Sequence, residues 1–348
     1  MADKAPTLTH CLISHKKSCT GIVHIGDNSH IISSSEDGTL VLWHLSGSQG
    51  VPLFVLPFPC AIASIFYASK LNAIAAGLEN GHVAIIKVCE RSLEPVAHVK
   101  VHSKKVSGVA FDPAHDRFIT VGHDKKLSLF DCPELPSSDA TFDVRSFTIA
   151  SAWPGCLTVT PSGDRVYIGT YGRDVIAADI IDGQVEVVGA LHGHRGSVRS
   201  CVFDPVTSFL MTGSFDKLVF AWETNVRVVS SIRPIAKLSA HFKKVKAMAI
   251  EPTDRVLVSA CDGGMIACYE LRSGKRVRFF KGSGNKVLSL CIIGNRLVSG
   301  DSKGVLRVWD LGDDGVAEVE VGHDVVEEKQ ESGEEVSEEE VDDVVVAE

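Results

Sequence analysis

The strongest constraint on this chain is a period. Trp43 ends the run SSSEDGTLVLW, Phe130 ends TVGHDKKLSLF, Trp222 ends TGSFDKLVFAW and Trp309 ends SGDSKGVLRVW. Each run has one shape: a strand, a tight turn, a second strand with alternating apolar residues, and a closing aromatic. At the same phase stand Ile86 in AGLENGHVAII, Ala178 in GTYGRDVIAA and Tyr269 in SACDGGMIACY. The seven anchors are spaced by 43, 44, 48, 44, 47 and 40 residues. A strand-rich unit of roughly 40–45 residues is one four-stranded blade of a radial array.

A second signal keeps the same phase. Six residues before the anchors stand Asp37, Asn80, Asp124, Gly172, Asp216, Gly263 and Lys303. Four residues before that, five repeats carry Ser33, Thr120, Thr212, Ser259 or Ser299. Twenty-two residues before the turn position stand His15, His102, His194 and His241, with Lys281 at that distance in the seventh repeat. The pattern resembles the WD40 family, whose repeat runs from a Gly-His to a Trp-Asp. Here the pairs survive as Gly193-His194 with Trp222-Glu223, and as Trp309-Asp310. The resemblance covers residues 8–312. It implies an all-β fold, a seven-bladed WD40 β-propeller over 7–312, followed by a disordered acidic C-terminal tail over 313–348.

Such a unit cannot bury both faces of its sheet alone, so blades stack radially and cover one another. The ring must also close. In the family that this chain resembles, an N-terminal strand completes the last blade, and Thr7–Ile13 (TLTHCLI) precedes His15 in that slot. A competing strand is 316–321 (VAEVEV), after a GDDG turn. The N-terminal strand is the expected one.

The sets His15, Ser33, Asp37 and Trp43, then His102, Thr120, Asp124 and Phe130, then His194, Thr212, Asp216 and Trp222 invite a hydrolase reading. Repetition argues against it, because an active site is needed once and a structural device once per blade. No Gly-x-Ser-x-Gly elbow is present. The resemblance implies hydrogen-bonded networks that tie each loop to a turn. Repeats 2 and 4 have Phe58 and Ala150 at the His position and should be looser. No phosphate-binding loop is found; GSGNK (282–286) lacks the strand-to-helix context. The ten cysteines include no C-x-x-C pair and lie mostly in apolar stretches, as reduced buried thiols do. No metal, cofactor or catalytic group is expected, and the chain reads as a non-enzyme.

Charge is unevenly spread. Residues 324–348 hold twelve acids and one Lys, so the total of −9 leaves +2 for residues 1–323. That tail has too much like charge to fold alone. After the repeat's His come Lys16, Lys17, Lys104, Lys105, Arg195, Lys243 and Lys244, with Lys246 near; Lys286 follows in repeat 7. Lys125, Lys126, Lys217 and Lys303 stand on the neighbouring turns. In a propeller these share one face, whose summed field suits proteins or acidic and phosphorylated peptides. An anionic membrane could meet the same face without an anchor. Only 7% of residues are aromatic, which argues against a nucleic-acid reader. The acidic tail suits basic proteins and is also expected to compete for the basic face.

Within that family, 56–88, 101–127, 191–222 and CDGGMIACYEL (261–271) resemble the WD-repeat part of the WD-repeat and FYVE-domain proteins. In those, a zinc-binding FYVE domain inserted near the last blade binds a phosphoinositide. Here Tyr269 and Trp309 are only 40 residues apart, so the propeller carries over and the lipid-binding function does not. The terminus MADKAPTLTH lacks a signal-peptide layout and no run of about 18 apolar residues occurs, so a cytoplasmic chain is expected, acting as a monomer within a larger complex. The expected role is a scaffold or adaptor, in endosomal or vesicle-trafficking signalling; the alternative is a subunit of a nuclear or ribosome-biogenesis complex.

Overall fold

The computed structural model describes residues 6–311 apart from 14, 27–28, 47–48, 138–139, 150, 225–228, 230–231, 240 and 252–255. The acidic tail, the alternative closing segment 316–321 and Ala150 therefore lie outside the described residues.

Among the described residues, twenty-eight strands form seven antiparallel four-stranded sheets. Blade 1 shows the unit: Cys19–His24 innermost, then His30–Ser35, Thr39–Ser46 and Gln49–Pro57 outermost. Six blades are consecutive in sequence. The seventh takes three strands from Val287–Asp310 and its outermost from Thr7–Ile13, which pairs with Val305–Asp310. The N-terminal strand thus closes the ring. Leu12 packs there with Trp43 and Val308 in one cluster.

The core consists of seven apolar clusters, one between each pair of neighbouring blades. Strand alternation produces this. Along Phe118–Val121, Phe118 joins the cluster shared with blade 2, while Ile119 and Val121 join the cluster shared with blade 4. All seven anchors point the same way. Trp43, Ile86, Phe130, Ala178, Trp222, Tyr269 and Trp309 each sit in the cluster shared with the preceding blade. The period read in the sequence is therefore the period of inter-blade contact.

Blade 7 departs from the register expected. Val287 pairs with Asp301, whereas Cys19 pairs with Ser35 and Val198 with Ser214. The hairpin joining its first two strands is two residues shorter than in those blades. Counting back from Trp309 therefore overshoots by two. Lys281 is not at the His position: it ends the outermost strand of blade 6, opposite Met265. Ser283 fills that slot, four residues before the innermost strand.

Candidate interaction face

Each turn between the second and third strands has a left-handed residue at one position: Gly38, Gly81, Lys125, Arg173, Lys217, Gly264 and Gly304, with φ between 66° and 83°. At Gly264 any side chain would also collide, since an added Cβ would lie 2.2 Å from Ser283 O. Blades 3, 4 and 5 carry Lys or Arg there instead, at a backbone cost of about 1–2 kcal/mol that glycine avoids.

The turns are tied to the preceding loop by polar networks. In blade 5, Trp222 Nε1 donates to Thr212 Oγ1 at 2.8 Å, and His194 Nε2 lies 2.8 Å from the same hydroxyl. His194 Nδ1 lies 2.8 Å from Asp216 Oδ2, which also accepts the Arg195 amide at 2.8 Å. A carboxylate only accepts, so His194 Nδ1–H donates to Asp216, which leaves Nε2 of the neutral ring to accept from the Thr212 hydroxyl while that oxygen accepts from Trp222. Blade 3 repeats this with His102, Thr120 and Asp124, both ring contacts being 2.9 Å, and Phe130 replaces the indole. In blade 1 a relay is inserted. His15 Nδ1 meets Thr39 Oγ1 at 2.9 Å, Thr39 donates to Asp37 at 2.6 Å, and Trp43 Nε1 and His15 Nε2 share Ser33 Oγ.

Blade 6 has only half the set. His241 Nε2 meets Ser259 Oγ at 2.7 Å, but Gly263 replaces the acid and His241 Nδ1 is buried without a partner. Burial and the Arg276 charge push its pKa down to about 4. Burial also lowers His15 and His102. Blade 7 uses another device: buried Asp301 accepts from Ser283 Oγ at 2.8 Å and Arg307 Nη1 at 2.7 Å, and Trp309 Nε1 donates to Ser299 at 3.1 Å.

The same end of the sheets carries the expected cations. Lys16, Lys17, Lys104, Lys126, Arg195, Lys217, Lys243, Lys244 and Lys286 are exposed; Lys105 and Lys125 are half-buried. Two inner circles went unread in the sequence. The first is a rim, where the residue before each turn position donates its amide across the blade: Glu36 to Ser18, Glu79 to Ala61, His123 to Lys105, Tyr171 to Trp153, Phe215 to Ser197, Asp262 to Lys244 and Ser302 to Lys286. The second is a ring of bulges. Every innermost strand slips register at its second residue, namely Thr20, Ala63, Ser107, Gly155, Arg199, Lys246 or Leu288. A bulge re-aims a side chain. All seven line a central channel of about 550 Å³. These residues share a position and no residue type, so only counting five from the repeat's His slot finds them.

Among the described residues, no group of three or more His, Cys, Asp or Glu could hold a metal, and no helix is long and apolar enough to cross a membrane. All ten cysteines are free. Burial pushes Cys19, Cys268 and Cys291 up to about 12, which keeps those thiols protonated and unreactive.

Seven radial four-stranded blades, four of them with a His–Ser/Thr tie, define a β-propeller that carries WD40 repeats. The family model described as WD domain, G-beta repeat, matches residues 6–44, 93–131, 185–223 and 232–270. Those are the four repeats that carry His15, His102, His194 and His241. The chain is similar to WD repeat and FYVE domain-containing protein 1 of Mus musculus, 24% identical over 271 residues, covering 76% of this chain and 63% of that protein. It is also similar to WD repeat and FYVE domain-containing protein 2 of Caenorhabditis elegans, 22% identical over 280 residues, covering 80% and 64%. The chain thus spans less than two thirds of these relatives. Among solved structures, the WD40 beta propeller domain of Doa1 superimposes with a TM-score of 0.75 at 16% identity, covering 90% of this chain and 99% of that one.

Proposed function

We propose that this propeller is a non-catalytic scaffold that holds protein partners against its basic face. The observation that carries the reading is the turn chemistry. Lys125, Arg173 and Lys217 occupy a left-handed position that glycine fills in the other four blades. Three adjacent turns hold charged side chains at a conformational cost, with Arg173 and Lys217 exposed and Lys125 half-buried. Strain of this kind concentrates where a surface binds.

The triad-like sets support a structural role. Ser33, Thr120 and Thr212 are fully buried, and two of them are capped by an indole N–H, so no substrate reaches them. Acidic or phosphorylated protein segments match the face. Basic proteins match the charge of the C-terminal tail. We read the role as one in endosomal or vesicle-trafficking signalling, from the cytoplasm, a reading supported by the similarity to WD repeat and FYVE domain-containing proteins. The second reading, a nuclear or ribosome-biogenesis subunit, is favoured by the twelve acids of residues 324–348.

Affinity purification of the tagged chain, followed by mass spectrometry, tests this beside its localisation. Vesicular or diffuse cytoplasmic signal with trafficking proteins supports the first reading. Nucleolar signal with basic ribosomal proteins supports the second, and recovery of no partner at all contradicts both.

A further inference from the structure

The bulge ring is chemically lopsided. In blades 1 and 3 its side chains tie neighbouring blades together: Thr20 donates to Ile62 O at 2.8 Å and Ser107 to Pro154 O at 2.8 Å. In blades 5 and 6 the same positions are Arg199 and Lys246. Arg199 lies over a glycine, since a Cβ on Gly155 would meet its Cδ and Nε at 3.3 Å. Its guanidinium stacks 4.3 Å from the Tyr171 ring centroid, and its Nε is buried with no hydrogen-bond partner. Lys246 Nζ sits 4.2 Å from the Phe215 ring centroid, with Lys244 Nζ at 5.0 Å from the same ring.

The channel lining holds Lys105, Arg199, Lys246 and Lys286 against one carboxylate, Glu36. Asp262 approaches Lys246 no nearer than 3.9 Å. The cations therefore face one another without enough counter-charge. Burial, Arg199, Lys286 and Lys244 together bring the Lys246 pKa down to about 8 despite Asp262. Beside them lies an aromatic shelf. Trp153 is 44% exposed and stacks on His123 at 5.5 Å and 9°. It meets Tyr171 edge-on at 6.0 Å.

We propose that the channel mouth beside blades 4 to 6 is a subsite for one anionic side chain of an extended protein segment, with Arg199 and Lys246 pairing its carboxylate or phosphate and Trp153 supporting the backbone next to it. The inference rests on the reading of this face as the partner surface, and it gives that surface a centre. A planar guanidinium over an aromatic ring offers paired N–H donors, a fork suited to two oxygens of one anion. An anion entering there meets Arg199, Lys246, Lys105 and Lys286, against which the channel lining sets one carboxylate, Glu36, with Asp262 at 3.9 Å from Lys246. Glu36 and Glu79 sit on the rim at blades 1 and 2. They repel the same anion and fix the direction in which the segment crosses.

The test uses the intact chain and three labelled extended peptides with identical flanks and a central Glu, phosphoserine or Gln. Binding is followed by anisotropy and by tryptophan fluorescence. Trp43, Trp222 and Trp309 are buried, so an emission change reports Trp153. The Glu or phosphoserine peptide should bind at least about tenfold more tightly than the Gln peptide. Whichever of the two binds better identifies the natural anion. Arg199→Gln should abolish the preference, Arg199→Lys should restore part of it, and Lys87→Gln, at an exposed position near the end of His82–Val88 and outside the basic face, should leave it within about twofold. An unchanged melting temperature shows that Arg199→Gln remains folded; if that variant unfolds, Arg199→Lys alone decides, by the loss of preference it causes. Equal binding of the Gln peptide, an equal effect of Lys87→Gln, or binding of single-stranded RNA or anionic vesicles in place of the peptides overturns the subsite. If no acidic peptide binds but partners are still lost on reversing charges elsewhere on the face, the subsite fails while the scaffold reading stands.

Discussion

His194 Nδ1 lies 2.8 Å from Asp216 Oδ2, with both side chains almost wholly buried. The pair fastens the loop before blade 5 to the turn beyond its second strand, and the Arg195 amide adds a second bond to the same carboxylate. Asp216→Ala leaves a buried imidazole N–H and that amide without an acceptor. The expected cost is about 1–3 kcal/mol, read as a lower chemical-denaturation midpoint at unchanged slope. Asp216→Asn retains an acceptor and should cost less.

Acid sensitivity should follow from His241. Its folded pKa, about 4, lies below the 6.5 of an ordinary imidazole. The unfolded chain then binds the proton first, so stability rises with pH across that interval. The contribution is complete above about 6.5 and is lost as pH falls toward about 4. Its size is on the order of 3 kcal/mol. Asp37, Asp124, Asp216 and Asp301, all lowered, add further loss only below the ordinary carboxylate range. The melting temperature should drop between pH 7 and pH 5, and His241→Gln should make that drop smaller, the remainder coming from His15, His102 and His123, which burial lowers as well. A flat wild-type profile there would contradict the assignment.

Lys217 holds φ 73° on an exposed turn. Lys217→Gly removes the backbone penalty and adds chain entropy, for a net gain of about 0.5 kcal/mol. Thermal melts should show a small rise, together with weaker binding of acidic partners. A clear loss of stability would mean that the side chain serves the fold.

Blades 2 and 4 lack the His–Asp tie. The amides of Lys16, Ser103 and Arg195 donate to Asp37, Asp124 and Asp216. In blade 4 the acid's position is Gly172, which offers the amide of the equivalent Ser151 no side-chain acceptor. Native-state hydrogen exchange should therefore be faster at Ser151 than at Arg195. Equal protection would show that the ties do not set local stability.

Much of this fold is legible in the chain, because an aromatic every forty-odd residues is a packing requirement. Trp43, Trp222 and Trp309 each face the preceding blade, and a residue that must fill such a contact cannot drift. The His15, His102 and His194 sets are legible for the same reason, since buried polar groups need fixed partners. Lys281 was misplaced because a two-residue deletion lies between the anchor and the loop, and an anchor-based count cannot feel it. Thr39 was invisible as a relay because blades 3 and 5 bring Asp124 and Asp216 directly to the ring. Arg199 and Lys246 were hidden among Thr20, Ala63, Ser107, Gly155 and Leu288, since a bulge fixes where a side chain points without restricting its type.

The most direct test separates face from frame. Lys243→Glu/Lys244→Glu and Asp216→Ala are compared in parallel for melting temperature and for partners recovered with the intact chain. Both lysines are exposed, so the double variant should melt within about 0.5 kcal/mol of wild type yet lose its partners. Asp216→Ala should melt lower and retain them below its transition. The reverse outcome, a destabilised face variant that keeps its partners and a stable Asp216→Ala that loses them, would contradict the account.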